Sequence, residues 1–237
     1  MRKVVDFHSH LLPAVDDGSK SLEESMQMLR MESAQGVKHV VATPHFYPQY
    51  DSPELFLKRR KEAELRLREA MSREEGLPTL SVGAEVYFFH GISESDVLSE
   101  LTIDQNRCIL IEMPGAPWSE SMYRELENLY VKRGLIPIIA HVDRYIGRFR
   151  TYGIPRRLAR LPVMVQANAE FFTTKSTSAM ALRMLKAGMI HLIGSDCHNL
   201  NSRKPNVGDA LDVIRARLGE EALAFLNACE AYTEVTR

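Results

Sequence analysis

The chain has 237 residues, 45% hydrophobic and 26% charged, with a formal net charge of −1, a balance that gives no drive toward nucleic acid or an anionic membrane surface. No apolar run approaches the roughly 18 residues of a membrane span, and Met1-Arg2-Lys3-Val4-Val5-Asp6 is too poor in apolar residues for a secretory leader. Three widely spaced cysteines make no disulfide framework, so the expectation is a cytoplasmic protein, not membrane-embedded, with one domain over residues 1–237.

Apolar, β-branched runs predict seven strands, at 3–7, 38–43, 79–85, 108–113, 136–141, 163–168 and 190–195. Helices fall between them. Ser21-Leu22-Glu23-Glu24 has the form of a capping box opening a helix over 21–35, with Gly36 suited to its end. Ser52-Pro53-Glu54 opens a long amphipathic helix over 53–75 rich in Glu, Lys, Arg and Leu. Further helices fit 119–133, 176–187 and 206–228, the last broken near Gly219. Strands separated by helices pair in parallel through right-handed crossovers. The expected fold class is therefore α/β, as a single (β/α)7-like barrel.

Histidines and carboxylates recur where these strands end: His8-Ser9-His10, His45, Glu85, Glu112, His141 and Asp196-Cys197-His198. The C-terminal ends of barrel strands are where active groups gather. In His8-Ser9-His10 and Asp196-Cys197-His198 the two outer residues share one side of an extended segment, because side chains alternate with period two. Asp16-Asp17-Gly18 has the composition of a turn, but its place just after the histidine pair makes Asp17 a ligand candidate. An unpaired Glu85 or Glu112 at a barrel mouth would carry a severe desolvation cost, which bound cations remove. His8, His10, Asp17, His45, Glu85, Glu112, His141, Asp196 and His198 are nine candidate donors, too many for one tetrahedral zinc. The pattern points to two or three divalent ions bridged by a carboxylate. His39 and His191 begin their strands and are expected to be structural; His90 lies on the rim, as surface or substrate contact.

These residues carry a family resemblance. The chain resembles the polymerase-and-histidinol-phosphatase (PHP) superfamily, and within it the bacterial protein-tyrosine phosphatases of capsule and exopolysaccharide loci. The resemblance runs from residue 4 to about 228, through His8-Ser9-His10-Leu11-Leu12-Pro13, Asp16-Asp17-Gly18, Ala42-Thr43-Pro44-His45, Gly83-Ala84-Glu85, Ile111-Glu112, Ala140-His141, Gln166 with Asn168, and Ser195-Asp196-Cys197-His198-Asn199-Leu200 with Arg203. It implies a distorted seven-stranded PHP barrel holding up to three ions, commonly manganese, iron or zinc. His8, His10, Glu85 and Asp196 would hold one, Glu85, Glu112 and His141 a second, and Asp17, His45 and His198 the third. Arg144 and Arg203 would grip the phosphoryl group, as planar forks suited to bidentate contact with phosphate. The chain departs from the family in carrying Asp143 where relatives usually have Glu, and in lacking the Asn-Pro motif often found near the end.

The implied activity is metal-dependent hydrolysis of phosphotyrosine, on a bacterial tyrosine autokinase controlling polysaccharide export. Histidinol-phosphate or other small phosphomonoester hydrolysis is the alternative enzyme; a non-catalytic kinase-binding regulator is the alternative outside enzymes. Phosphodiester chemistry is disfavoured, since no extended basic surface is evident. Cys197 and Arg203 also fit the C-x5-R spacing of thiolate phosphatases, but the intervening segment lacks the glycines that aim backbone N–H groups at phosphate. The stretch from Arg144 to Arg160 holds Arg148, Arg150, Arg156 and Arg157 with no acidic residue, interleaved with Tyr145, Phe149 and Tyr152. It is either a solvated basic loop or a rim that receives a phosphotyrosyl ring and the acidic chain around it.

Overall fold

The Val, Ile and Leu runs pair in parallel throughout, wrapping into a barrel in chain order. The computed structural model describes residues 4–115, 117–146 and 153–233. The strands are β1 (Val4–Ser9), β2 (Val37–Ala42), β3 (His45–Phe46), β4 (Thr79–Val82), β5 (Glu85–Tyr87), β6 (Cys108–Glu112), β7 (Ile136–Ile139), β8 (Met164–Asn168) and β9 (Leu192–Gly194). Among the described residues there are nine segments in seven barrel positions, because the second and third strands are each interrupted: β2 pairs with β4, and after the break β3 pairs with β5. Pro44, which has no N–H to offer, and Gly83 mark the two interruptions. Hydrogen bonds from Gly83 N to Ala42 O (2.9 Å) and from Glu85 N to Pro44 O (3.0 Å) carry the pairing across them. Closure is made by Asp196 N donating to His8 O (2.7 Å) and His10 N donating to Cys197 O (2.9 Å).

The helices are α1 (Leu22–Ala34), α2 (Pro53–Met71), α3 (Leu98–Leu101), α4 (Glu120–Arg133), α5 (Gly153–Leu158), α6 (Ala169–Thr173), α7 (Ser178–Lys186), α8 (Val207–Leu218) and α9 (Glu220–Tyr232). Ser21 caps α1 by accepting from Glu24 N (3.1 Å), while the Glu24 carboxylate accepts from Lys20 N (2.7 Å) rather than from the cap residue expected of a capping box. Gly219, at φ 77°, separates α8 from α9. The sequence reading lacks α3, α5 and α6, four to six residues each, too short to display a 3.6-residue period. No helix among the described residues is long and apolar enough to cross a membrane.

Two apolar clusters separate the layers. Val5, Phe7, Val41, Leu110, Ile138, Met164 and Leu192 belong to the smaller one, enclosed by the strands, and the larger one lies between sheet and helices. Period-two alternation puts Glu112 on the side of Leu110 and Gln166 on the side of Met164. The side of each strand that is apolar inside the barrel thus becomes polar at its mouth.

Candidate metal centre

The nine donors come from the first strand, the loop after it, and the ends of five later runs, and all converge on the barrel mouth. His8 and His10 emerge side by side, their Nε2 atoms 3.0 Å apart. The loop carrying Asp17 folds back so closely that a Cβ on Gly18 would lie 2.1 Å from His10 O. Gly194 allows a similar approach on the opposite side, where a Cβ would sit 2.4 Å from His8 Cβ. His141 (φ 32°) and Asp196 (φ 54°) occupy the left-handed region, which is unfavourable for residues with a Cβ. Their backbone N–H groups are held in place by Gln166 Oε1 (2.6 Å) and His8 O (2.7 Å) respectively.

Glu85 is the hub. Its Oε2 lies 3.1 Å from His8 Nε2, 3.3 Å from His10 Nε2 and 3.0 Å from His45 Nδ1, and its Oε1 lies 2.8 Å from His141 Nε2. Asp196 Oδ1 stands 3.5 Å from His8 Nε2 and 3.4 Å from His10 Nε2. Glu112 approaches His141 Nε2 at 3.6 Å and His45 Nδ1 at 3.9 Å. Asp17 Oδ1 faces His45 Nε2 at 3.6 Å and His198 Nε2 at 3.4 Å. Three groups of donor atoms result, each within 4.8 Å: His10, Asp17, His45 and His198; His8, His10 and Glu85; His45, Glu85 and Glu112.

This donor set fits divalent cations. Three imidazoles have Nδ1 engaged, leaving Nε2 facing the cluster: His10 donates to Asp16 Oδ2 (2.7 Å), His8 to Gln166 Oε1 (3.2 Å) and His198 to Asp196 O (2.9 Å). Fixing one ring nitrogen by an outer hydrogen bond is how histidine is prepared as a ligand. His198 Nε2 is buried with no hydrogen-bond partner. Asp16 adds a second duty, since its Oδ2 also accepts from His45 N (2.8 Å). Sequence reasoning treated Asp16 as part of a turn, and the period that would expose its role does not exist in a loop.

The electrostatics call for positive charge. Burial alone would raise the pKa of Glu85, yet His8, His10, His141 and His45 hold it well below the ordinary carboxylate range. Asp196 is likewise lowered against its burial by His8 and His10. Burial disfavours the imidazolium of His10, but Asp16, Asp196 and Glu85 override it and raise its pKa well above the usual value. His198 goes the other way, lowered to about 4 by burial, His10 and Arg203.

Both candidate arginines reach Asp196: Arg144 Nη2 donates to Oδ2 at 2.5 Å and Arg203 Nη2 to Oδ1 at 2.8 Å. Asn168 Nδ2 also donates to Asp196 Oδ2 (3.0 Å). These residues border a polar cleft of about 490 Å³ that includes Asp143, Ser202 and Lys204. Cys197 faces the other way, fully buried against Asp6 and Glu32, and burial pushes its thiol well above the ordinary range. The C-x5-R spacing therefore forms no phosphate loop. His39 bonds Thr79 Oγ1 (2.7 Å) and Ser81 Oγ (2.9 Å), and His191 Nδ1 accepts from Val165 N (3.1 Å), both structural roles. His90 is exposed. Of the basic stretch, Arg148, Phe149, Arg150 and Tyr152 lie outside the described residues. Arg157 pairs with Glu120 and covers the Tyr123 ring at 3.7 Å, and Tyr145 is packed against Trp118 with its hydroxyl accepting from Met113 N (2.9 Å).

Comparison with known proteins agrees with this architecture. The family described as "Capsular polysaccharide synthesis, CpsB/CapC" matches residues 4–232. Tyrosine-protein phosphatase CpsB of Streptococcus pneumoniae is 30% identical over 226 residues, 91% of either chain. Tyrosine-protein phosphatase YwqE of Bacillus subtilis (strain 168) is 29% identical over 227 residues, 92% of this chain and 86% of its own. A crystal structure from work on YwqE and CpsB, described as unique metal-dependent tyrosine phosphatases, superimposes with a TM-score of 0.84 at 27% identity, covering 96% of this chain and 93% of the other. N-isopropylammelide isopropylaminohydrolase from Burkholderia multivorans shares the fold alone, with a TM-score of 0.54 at 14% identity. The chain belongs to the CpsB/CapC family.

Proposed function

From that membership, we propose that the protein is a metal-dependent protein-tyrosine phosphatase serving capsular polysaccharide synthesis. The observation that carries this reading is the convergence of nine histidine and carboxylate donors at one barrel mouth, with two arginines meeting on Asp196. His8, His10, Glu85 and Asp196 would hold one ion, Glu85, Glu112 and His141 a second, and Asp17, His45 and His198 a third, with manganese, iron or zinc all suited to imidazole and carboxylate. Such ions supply Lewis acidity toward the phosphoryl oxygens and lower the pKa of coordinated water toward neutrality.

The chain's own residues do the rest. Gln166 and Asp16 fix the rings of His8 and His10. Arg144 and Arg203, with side chains 43% and 38% exposed, keep donors for phosphoryl oxygens beyond those given to Asp196 and, from Arg144 Nη1, to Glu112 Oε1 (3.5 Å). Preorganised donors of this kind stabilise charge at the transferring group. Asn168 and both arginines hold the Asp196 carboxylate against rotation. A tyrosine autokinase is the fitting substrate protein, in the cytoplasm. Turnover of a phosphotyrosyl peptide, histidinol phosphate and a single-stranded oligonucleotide under manganese tests the reading. Clear preference for the first is expected; preference for either other substrate would reassign the activity.

A further inference from the structure

We infer that Tyr50 and Tyr47, the latter backed by Tyr87, form the receptor for the aryl ring of the substrate and so set its preference for aromatic over aliphatic phosphate esters. This rests on the phosphatase reading above. A second cleft of about 490 Å³ opens beside the donor cluster, on the side of Asp16, Asp17 and His45, and its lining includes Tyr47, Tyr50 and Arg59. The cleft bordered by Arg144 and Arg203 includes Asp196 instead. The two clefts share no lining residue, one carrying Arg144 and Arg203 beside Asp196 and the other Tyr47 and Tyr50 beside Asp17 and His45. A phosphate ester whose phosphoryl oxygens meet the arginines places its remaining substituent toward the other side.

The tyrosines are arranged as a connected wall. Tyr47 stacks on the His45 ring at 4.9 Å and 29°, and its hydroxyl donates to Glu112 Oε2 at 3.4 Å. Tyr87 packs against Tyr47 at 5.6 Å, and Tyr50 meets it edge-on at 6.5 Å. Tyr50 is 86% exposed, a large ring presented to water beside a polar catalytic cluster. Its backbone is not loose: Tyr50 N and Asp51 N both donate to Tyr47 O, at 2.9 and 3.0 Å. Arg59 on α2 grips the Asp51 carboxylate with both terminal nitrogens. The ring is thus held out on a braced turn, the arrangement that lets an aromatic add contact at little entropic cost. Tyr145, the described aromatic of the basic stretch, is unsuited to the task because Trp118 and Met113 already occupy it.

An offset or edge-to-face ring pair contributes enough for roughly a threefold to tenfold preference. Binding of phenylphosphonate and methylphosphonate to manganese-loaded protein, followed by calorimetry, reads the cleft without turnover. Wild type should bind the phenyl compound about threefold to tenfold more tightly, Tyr50→Ala should erase that preference, and Tyr50→Phe should keep it. Equal binding of the two compounds by wild type, or a preference unchanged in Tyr50→Ala, would overturn the inference. Hydrolysis of matched phosphotyrosyl and phosphoseryl peptides is measured in parallel. Absence of all turnover would remove the phosphatase reading, while the phosphonate preference would still decide the cleft.

Discussion

Two buried glutamates, Glu85 and Glu32, differ in everything but burial. Glu85 sits at the barrel mouth within 3.3 Å of four imidazole nitrogens and is held well below the ordinary carboxylate range against its burial. Glu32 lies on α1 beside Asp6 and Cys197, with no hydrogen-bond partner for either oxygen, and burial together with Asp6 pushes its pKa well above that range. Burial raises the pKa of both carboxyls, and the neighbours decide which ionises. The mouth is built to hold concentrated negative charge opposite positive charge, which is what a cation cluster needs. The α1 layer instead holds a carboxyl whose protonated form is favoured by burial and by Asp6 beside it.

The largest effect should come from removing the hub. Glu85→Ala deletes the one carboxylate shared by His8, His10, His45 and His141. Several kcal/mol of transition-state stabilisation should go with it, a loss of kcat/KM on the order of a thousandfold. Metal analysis should show fewer ions per chain than wild type, and chelation of the wild type should abolish turnover and lower Tm together. Full activity with less than one ion per chain would dissolve the contrast between the two glutamates.

Next in size are the arginines. Arg144→Ala and Arg203→Ala should each cost about 2–4 kcal/mol in kcat/KM, comparable to deleting one oxyanion donor. Metal content and Tm should stay near wild type. Lysine at either position should rescue little, since a point charge cannot reproduce a planar fork. Kinetics of wild-type quality in either alanine variant would show that phosphate is gripped elsewhere.

The Glu32 side of the comparison predicts a gain. Replacing an unsatisfied buried carboxyl by an apolar side chain of similar length, Glu32→Met, should stabilise the fold by about 1–3 kcal/mol near neutral pH and leave kcat/KM unchanged. The pH dependence has a definite sign. The folded-state pKa of Glu32 lies above its unfolded value, so between the two the unfolded chain has released a proton that the folded chain retains, and stability falls as pH rises. Glu32→Met removes that fall, and its advantage in urea titrations should be larger at pH 8 than at pH 5. A constant or reversed difference would mean that Glu32 is ionised in the fold.

How much of this was legible in the sequence follows the same division. The donors at the mouth other than the loop residue Asp17 could be read because they lie at or just beyond the ends of apolar runs, so strand position and chemistry point to one place. The break at Gly83 is masked by the continuous run 79–85, whereas the expected second strand stops at 43 and omits the short β3 beyond Pro44. Glu32 looks like any charged residue of an amphipathic helix, and only the packing of α1 on β1 reveals that it is buried beside Asp6. Asp16 and Tyr50 lie in loops, where no period exists to mark which side chain turns toward the site. Of the basic stretch, Arg144 reaches Asp196 while Arg157 and Tyr145 are engaged with Glu120, Tyr123, Trp118 and Met113; composition alone does not separate these roles, and Arg148, Phe149, Arg150 and Tyr152 lie outside the described residues.

The smallest effect is expected at the residue whose spacing most resembles a nucleophile. Cys197 separates Asp196 from His198 in sequence, yet it faces Glu32 and Asp6, and burial raises its thiol pKa. A thiol that stays protonated and inaccessible does no nucleophilic chemistry. Cys197→Ser should therefore keep kcat/KM within about twofold, at a stability cost of about 1 kcal/mol for placing a hydroxyl in that layer. His141→Ala, in the same assay, should lose nearly all activity. A drop of about a hundredfold in Cys197→Ser with metal content intact, or a trapped cysteinyl phosphate, would move the nucleophile from the mouth to the α1 layer and reverse the roles of the two regions.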